Sequence, residues 1–456
     1  MTTELIGDPE SRSGPVLLGV QHSGVGKQRV PAMGLLCFAI CCAAAFWNTV
    51  DIRTSALSGQ ESIGLDWQVM LKLGIAALAG SVGCYGLIRS ERVRRALFGV
   101  PGIVMLALAV LLMATSTFAL NEVANVCRTA AIINFGYLLF VPVVISVLGL
   151  RRTIIAFLLG LTFHVVLSWT VYLLIPSVGV FEEDLGARIL FRRMGGLGHP
   201  NSIGRNAVLL GVLSLAMLRS AEFSPKWPGG RTILISLIGL AIATSLATFS
   251  RTSMLAGLAA CGMLMADRIL TRNGVVLGLA TFVLIVGSLF AFELATGELY
   301  ETAVAKGTKT GELSELTSAT GRTRIWAETI RLIGERPVTG WGLNSAPVLL
   351  EDYSFHAHNA VLHMSLSGGL VAGGLVVFLL LWSLSLGLTS AEPILRAISI
   401  YVLVSGTFED TVLDTFASPT TLMWSISLLY PAVIVAIRTQ ADRVSAEDRI
   451  QGVASL

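Results

Sequence analysis

The sequence predicts an all-α integral membrane protein with about twelve transmembrane helices. Of its 456 residues, 54% are hydrophobic and only 13% are charged, about half of the roughly 25% charge that soluble domains carry. Apolar runs of roughly 20 residues recur along most of the chain, each long enough to cross a bilayer. The net charge of +3 is too small to indicate a nucleic-acid partner.

Twelve segments are candidate transmembrane spans. The first begins too late and runs too long for a typical cleaved signal peptide, so we expect an uncleaved span. The sixth and eighth are short, and we expect them to tilt or to continue into polar turns that face protein. In order, the predicted spans are 32–50, 68–88, 100–119, 128–148, 153–175, 204–218, 232–249, 252–267, 273–293, 359–384, 394–408 and 418–437.

Lysine and arginine residues set the predicted orientation. They concentrate at alternate ends of the spans and are sparse in the loops 51–67, 120–127 and 409–417. Because loops rich in these residues stay in the cytoplasm, both termini are predicted to be cytoplasmic. The expected organisation is a cytoplasmic tail at 1–31, spans one to nine at 32–293, a periplasmic loop at 294–358, spans ten to twelve at 359–437 and a cytoplasmic tail at 438–456.

Several basic residues depart from this pattern, because they fall on the predicted external side. Long loops tolerate charge, which accounts for the basic residues of 294–357. That explanation fits Arg251 poorly, since only a short turn separates the two spans beside it. The remaining external arginines, around the loop between spans five and six, are Arg188, Arg192, Arg193 and Arg205.

The six cysteines fall in or beside apolar segments. They show no paired spacing with histidines, so neither a disulfide framework nor a zinc site is expected. Their predicted role is that of small buried core residues.

The external segment RRMGGLGHPNSIGR, residues 192–205, predicts a tight turn that leads into a helix. Pro200 favours the first position of that helix, and Asn201 or Ser202 is expected to cap it. Backbone N–H groups at such a helix start suit an anion. The alternative is an ordinary interfacial loop whose arginines contact lipid headgroups.

The segment FSRTS, residues 249–253, places Arg251 between two apolar runs. An arginine at a membrane boundary either snorkels to water or faces a polar cavity. The residues themselves leave both interpretations open.

The segment TGRTRIW, residues 320–326, predicts a helix beginning near Thr320 with two distinct faces. One face alternates in sign, as is typical of a solvated surface, and consists of Arg324, Glu328, Arg331 and Glu335. The other, expected to be buried, consists of Arg322, Trp326, Ile330 and Ile333. We therefore expect Arg322 to point at protein or ligand, and stacking on Trp326 could hold its guanidinium in place.

The segment SFHAHNAVLHMSLSGG, residues 354–369, carries His356 and His358 just before span ten, where Asn359 is expected to cap the helix. The two histidines could form a metal pair, although a third clear ligand is missing from the pattern. A general base is the competing function, since histidine titrates near neutral pH. Ordinary core or surface histidines are the third possibility, and His363 is expected to pack within the apolar run.

Together and in this order, these segments resemble the O-antigen ligase and polymerase family of bacterial membrane glycosyltransferases. The resemblance covers roughly residues 190–385, including the long external loop before span ten. It depends on GHPN at 198–201, SRTS at 250–253, TGRTRIW at 320–326, ERPVTGWG at 335–342 and HAHN at 356–359.

The resemblance implies a helical GT-C-type fold and a metal-independent glycosyltransferase without cofactor in the bacterial inner membrane. Its donor would be a glycan on undecaprenyl pyrophosphate, and its acceptor a hydroxyl of lipid A core, of a growing polysaccharide or, in some relatives, of a protein, on the periplasmic face. Carried over by motif, the catalytic residues would be Arg251, Arg322 and His358. Contacts to substrate are also expected from His199, Asn201, Arg205, Trp326 and His356.

The chemistry of these residue types fits such a transfer. Arginine stays charged and offers a planar fork to phosphate oxygens as negative charge builds on the leaving group. A histidine could take the proton of the acceptor hydroxyl. A ligase, an O-antigen polymerase and an exopolysaccharide polymerase all remain open. A transporter of a lipid-linked sugar or another anion is the alternative of a different class, although internal repeats and paired charges at mid-span are not evident.

Overall fold

The computed structural model describes residues 32–52, 67–184, 190–225, 228–269, 322–354, 356–409 and 416–454. Within these ranges the chain is mostly helical. The helices are α1 (Ala32–Trp47), α2 (Trp67–Arg89), α3 (Glu91–Leu97), α4 (Val100–Thr115), α5 (Ala124–Leu174), α6 (Pro176–Gly179), α7 (Pro200–Arg219), α8 (Pro228–Thr248), α9 (Arg251–Ile269), α10 (Arg322–Glu335), α11 (Ala346–Leu349), α12 (Ala360–Thr389), α13 (Pro393–Phe408) and α14 (Pro419–Ala454), with a 3₁₀ turn at Ser116–Phe118.

One β-hairpin qualifies the predicted all-α class. Strands β1 (Val180–Asp184) and β2 (Leu190–Met194) pair antiparallel, with Val180 opposite Met194. The hairpin lies directly before α7, in the predicted loop between spans five and six. It is short, and the rest of the described fold is a bundle of apolar helices.

Seven of the described helices are long and apolar enough to cross a membrane, and the protein is an integral membrane protein, as expected. Three shorter apolar helices accompany them, at Ala32–Trp47, Arg251–Met265 and Pro393–Phe408. Helix α5 contains two predicted spans, divided at Gly149, whose φ of 68° interrupts the helix. Every predicted span except 273–293 falls on one of these helices. That span lies outside the described residues, so the total of twelve stays a prediction.

Helix α5 is the centre of the bundle, where α1, α2, α7 and α14 pack on it. Hydrogen bonds join some of the polar groups inside the bundle, where water is scarce. The Asn48 amide, just after α1, donates to Tyr137 Oη at 3.1 Å and to the Ala417 carbonyl at 2.7 Å. All six cysteines are free thiols. The predicted burial holds for Cys37, Cys41 and Cys127, whereas Cys42 and Cys261 are partly buried and Cys84 is exposed on α2.

Five helices meet at one end of the bundle, which we call the site end. Helices α7, α9 and α12 begin there, and α8 and α13 end there. Close approach is possible because Gly204 has no side chain: a Cβ atom at this position would lie 2.5 Å from the Ser250 Cβ. Arg219 and Arg396 lie at the other end of α7 and α13, in agreement with the charge pattern that predicts the orientation.

The ERPVTGWG segment fastens α10 to a break in α12. Two residues of α12 leave helical geometry, Gly368 and Gly369, the second with φ of 76°. The exposed backbone groups bond to the segment instead: Trp341 N–H donates to the Leu366 carbonyl, and Leu370 N–H donates to the Pro337 carbonyl, both at 2.8 Å. This motif therefore has a structural role, since it holds α10 against the bundle.

Candidate active site

Arg322, the first residue of α10, forms an ion pair with Glu409, the residue that follows α13. The Arg322 Nη2 atom lies 2.8 Å from Glu409 Oε1 and donates to Thr252 Oγ1 at 3.2 Å. Both side chains are largely buried, with 15% of Arg322 and 6% of Glu409 exposed. The pair joins three segments that are far apart in sequence, so it defines a site instead of a surface contact.

The second oxygen of Glu409 contacts His358. Its Oε2 atom lies 3.1 Å from His358 Nδ1, and His358 Nε2 lies 3.0 Å from Ser354 Oγ. An ionised carboxylate can only accept hydrogen bonds, so Nδ1 carries the proton. In neutral His358 the lone pair is then on Nε2, which is the nitrogen that can act as a base.

The backbone around His358 holds its ring toward Glu409. His358 has φ of 50°, in the left-handed region that residues other than glycine rarely adopt. Asn359, next in the chain, caps α12 as predicted, because its Oδ1 accepts from the N–H groups of Val361 and Leu362. Its amide also donates to the Thr407 carbonyl at 3.0 Å. This contact ties the start of α12 to the end of α13, and so places His358 beside Glu409.

Glu409 remains ionised despite its burial. Burial alone would raise its pKa. The hydrogen bond from His358, the charge of that ring whenever it is protonated, and the charges of Arg322 and Arg205 outweigh that effect. The pKa of Glu409 therefore lies below the usual value for a glutamate. The ionised Glu409 carboxylate can only accept a hydrogen bond, which agrees with the proton assigned to His358 Nδ1.

Helix α7 begins at Pro200, as predicted, but its cap is His199 and not Asn201 or Ser202. The His199 Nδ1 atom accepts from the Asn201 N–H at 3.2 Å, which places the ring proton on Nε2. The His199 side chain is partly open to solvent, but protein atoms crowd the ring and displace much of the water around it. This desolvation lowers its pKa, and the charges of Arg193 and Arg205 lower it further. His199 is therefore a neutral hydrogen-bond donor.

The β-hairpin separates the roles of two consecutive arginines, because neighbouring side chains on a strand point to opposite faces. Arg192 is exposed and pairs with Glu182 at 2.8 Å. Arg193 is 5% exposed, lies 5.5 Å from the centre of the Phe181 ring and donates to Asn201 Oδ1 at 3.3 Å. Arg193 thus contacts the start of α7, whereas Arg192 lies on the protein surface.

Arg205, on α7, lies close enough to Glu409 for its positive charge to act on the carboxylate. Its Nη2 atom donates to Ser202 Oγ at 3.1 Å, and Tyr401 Oη of α13 donates to its backbone carbonyl at 3.1 Å. The Arg205 charge is among those that lower the pKa of Glu409. The predicted arginine Arg188 lies outside the described residues.

Arg251 begins α9, after a turn of only two residues from α8. Its side chain is half-buried, and its guanidinium lies 6.0 Å from the centre of the Phe249 ring. The next residue, Thr252, accepts the hydrogen bond from Arg322. Arg251 therefore lies one residue from the Arg322–Glu409 pair.

Residues 235–379 match a family model described as O-antigen ligase. This segment of the chain is therefore similar to the O-antigen ligase family. The matched segment is about a third of the chain and contains Arg251, Arg322 and His358, whereas Glu409 and the start of α7 lie outside it. No curated protein matches the chain. The match supports a glycosyltransferase-like enzyme of the O-antigen ligase or polymerase type in general.

Within the matched segment, the buried face of α10 is rotated from the predicted one. Its buried residues are Ile325, Thr329, Leu332 and Ile333. Ile330 is 58% exposed, so its predicted burial is wrong. Trp326 is half-buried, and no cation–ring contact joins it to Arg322 among the described residues. A buried carboxylate, not the indole, orients Arg322.

The charged face of α10 agrees with the prediction for an exposed surface. Arg324 is exposed, and Arg331 pairs with Glu328 at 2.6 Å and also with Glu335. These local pairs need no function to explain them.

The two histidines of the HAHN motif differ in their contacts. The His356 ring stands edge-on to the His358 ring, with centroids 6.2 Å apart. Among the described residues no group of three or more His, Cys, Asp or Glu side chains could hold a metal ion. His363 is buried within α12, as expected.

The sequence alone does not single out Glu409, although it carries a usable signal. This acidic residue ends an apolar run in a predicted external loop that is poor in basic residues. A carboxylate at that position is a natural partner for the external arginines.

Proposed function

We propose that the protein transfers a glycan from undecaprenyl pyrophosphate to an acceptor hydroxyl at the periplasmic face of the bacterial inner membrane, within a GT-C-type fold of twelve spans. The single observation that carries this proposal is the Glu409 carboxylate, which contacts Arg322 with one oxygen and His358 with the other. An arginine, the proposed phosphate-binding cation, and a histidine, the proposed general base, are thereby held side by side. Displacement of a pyrophosphate by a hydroxyl needs groups of these two kinds.

Arg322 and Arg251 would bind the pyrophosphate oxygens. Both protein contacts of Arg322 use Nη2, so among the described residues Nη1 and Nε remain for a substrate. As the anomeric C–O bond breaks, its electron pair moves to the pyrophosphate, where the arginines stabilise the charge. The arginines supply the positive charge that a metal ion would otherwise provide, so we propose a metal-independent reaction.

His358 would accept the proton of the attacking hydroxyl, and Glu409 would stabilise the resulting imidazolium. His199 would donate a hydrogen bond from Nε2 to a substrate oxygen, since it is neutral and its Nδ1 is already occupied. Asn201, Arg205, Trp326 and His356 would line the remainder of the substrate site. The acceptor would be lipid A core in a ligase or a growing polysaccharide in a polymerase.

The proposal is tested with the purified full chain in proteoliposomes that contain an undecaprenyl pyrophosphate-linked glycan. One arm has the donor alone, so glycan transfer to another glycan there can only be polymerisation, and another adds rough lipopolysaccharide as acceptor. We expect product in one arm, unchanged activity with EDTA, and loss of activity in both Arg322→Ala and His358→Ala. Full activity of both variants would contradict the mechanism. Movement of the donor across the membrane without glycan transfer would identify a transporter.

A further inference from the structure

Ser354 extends the contact between Glu409 and His358 into a chain of three side chains. The Ser354 Oγ atom lies 3.0 Å from His358 Nε2, on the opposite side of the ring from Glu409. Since the Nδ1 proton points to the carboxylate, the Nε2 lone pair accepts the Ser354 hydroxyl proton. An imidazole nitrogen has one lone pair, so this hydroxyl occupies the basic position of neutral His358.

The local backbone fixes the Ser354 hydroxyl in that position. The His356 N–H donates to Ser354 Oγ at 3.3 Å, a side-chain turn that serine commonly forms two residues ahead. The Ser354 N–H donates to the Leu350 carbonyl at 2.7 Å, which anchors the residue to the end of α11. A hydroxyl oxygen has two lone pairs, and His356 takes one of them. The second can accept a hydrogen bond from a substrate hydroxyl without any rearrangement.

We propose that Ser354 is a catalytic residue that relays the acceptor proton to His358. This inference rests on the proposed function. The acceptor oxygen forms a bond to the anomeric carbon while the bond from that carbon to the pyrophosphate oxygen breaks. The acceptor proton moves to Ser354 Oγ, and the Ser354 proton moves to His358 Nε2. Ser354 ends the step as a neutral hydroxyl, His358 as an imidazolium and the leaving group with the released electron pair.

Two other roles of the same contact give different results. If Ser354 only blocks the base until an acceptor displaces it, removal of the hydroxyl should speed the reaction or release donor to water. If Ser354 only shapes the turn, a side chain that keeps the bond to the His356 N–H should preserve activity. The relay requires a hydroxyl in this place.

The test compares Ser354→Ala, Ser354→Thr and Ser354→Asn in the same proteoliposomes, with undecaprenyl pyrophosphate-linked glycan as donor, alone and with rough lipopolysaccharide. Threonine keeps the hydroxyl and the turn, whereas asparagine keeps the turn alone. We expect kcat to fall by about 10²-fold in the alanine and asparagine variants with little change in KM, and threonine to retain most of the rate. Thr339→Ala, which removes a half-buried hydroxyl from the ERPVTGWG segment upstream of Ser354, is the control and should behave as wild type.

A solvent isotope measurement separates a relay from a structural effect. The rate is measured against the fraction of heavy water in the solvent. For wild type this dependence should be curved, as expected for two protons that move in the transition state, and for Ser354→Ala it should be linear, as expected for one. A wild-type kcat in Ser354→Ala would overturn the relay while leaving the base intact, provided that His358→Ala is inactive. Activity of Ser354→Asn equal to that of Ser354→Thr would also overturn it. An active His358→Ala would instead remove the proposed function itself.

Discussion

Helix α10 carries two kinds of arginine–carboxylate pair, and they differ in almost every physical respect. Arg331 pairs with Glu328 and Glu335 on the same exposed helix face. Arg322 pairs with Glu409, 87 residues away, where both side chains are largely buried. Exposed pairs contribute little to stability and are readily replaced by water. The buried pair has a fixed geometry, and its carboxylate also contacts His358, so it can position groups for catalysis.

Glu409→Gln is the change that should affect activity most. The amide can donate a hydrogen bond to His358 Nδ1, which favours the wrong tautomer, and it leaves Arg322 without its carboxylate. We expect glycan transfer to fall by about 10²- to 10⁴-fold, the usual contribution of a general base. Glu335→Gln, on the exposed face of the same helix, is the control. Equal activity of Glu409→Gln and Glu335→Gln would show that the buried Arg322–Glu409 pair is not needed for glycan transfer.

Arg322→Lys tests the geometry of the cation and not its charge. A lysine ammonium has no planar fork, so it would not contact Glu409 and a phosphate oxygen in the same arrangement. The expected loss is about 10²- to 10³-fold in kcat, typical of removing one preorganised donor. Rates measured over a range of donor concentrations would separate this from weaker binding. A loss confined to KM would indicate that Arg322 serves only to bind the donor.

The buried pair should also give stability that depends on pH. Because the pKa of Glu409 is lowered in the folded protein, its contribution is present above the pKa of an unfolded glutamate, about 4.3. The contribution is lost as pH falls through the lower folded value. The thermal midpoint of Glu409→Gln in detergent should therefore lie below that of wild type at neutral pH, with the gap closing in acid. A gap that stays constant down to pH 3 would contradict a lowered pKa.

Arg324→Ala should have the smallest effect. The Arg324 side chain is exposed and precedes the charged residues of α10 that form ion pairs, Glu328, Arg331 and Glu335. We expect most of the transfer activity and the thermal midpoint to be retained, because exposed substitutions away from such features are nearly neutral. Inactivity comparable to that of Arg322→Ala would mean that the two faces of α10 are assigned the wrong way round.

The features predictable from the sequence are those that depend on neighbours in the chain. Helical spacing separates Arg322 from Arg324, and the Asn359 cap and the Pro200 helix start follow from local propensity. The failures involve contacts between distant segments. The rotation of α10 that exposes Ile330 is set by packing on α12, and the orientation of Arg322 is set by Glu409, not by Trp326. Nothing in the spacing of a sequence shows which carboxylate will face a given arginine across the bundle.

The same limit applies to the start of α7. Asparagine and serine are the usual caps, so Asn201 and Ser202 are reasonable expectations. The structure instead uses His199, whose ring nitrogen accepts the N–H bond. This choice fixes which nitrogen of His199 carries the proton, a property that an asparagine or serine cap would not provide.

The break in α12 implies an order of events in biogenesis. Backbone groups without partners are costly in a bilayer, and those around Gly369 find their partners in the segment 337–342, which precedes the helix in the chain. The span is therefore complete only after its own upstream loop has docked on it. A chain whose loop failed to dock would carry a span with unpaired backbone groups at its break, a defect present before any substrate is bound.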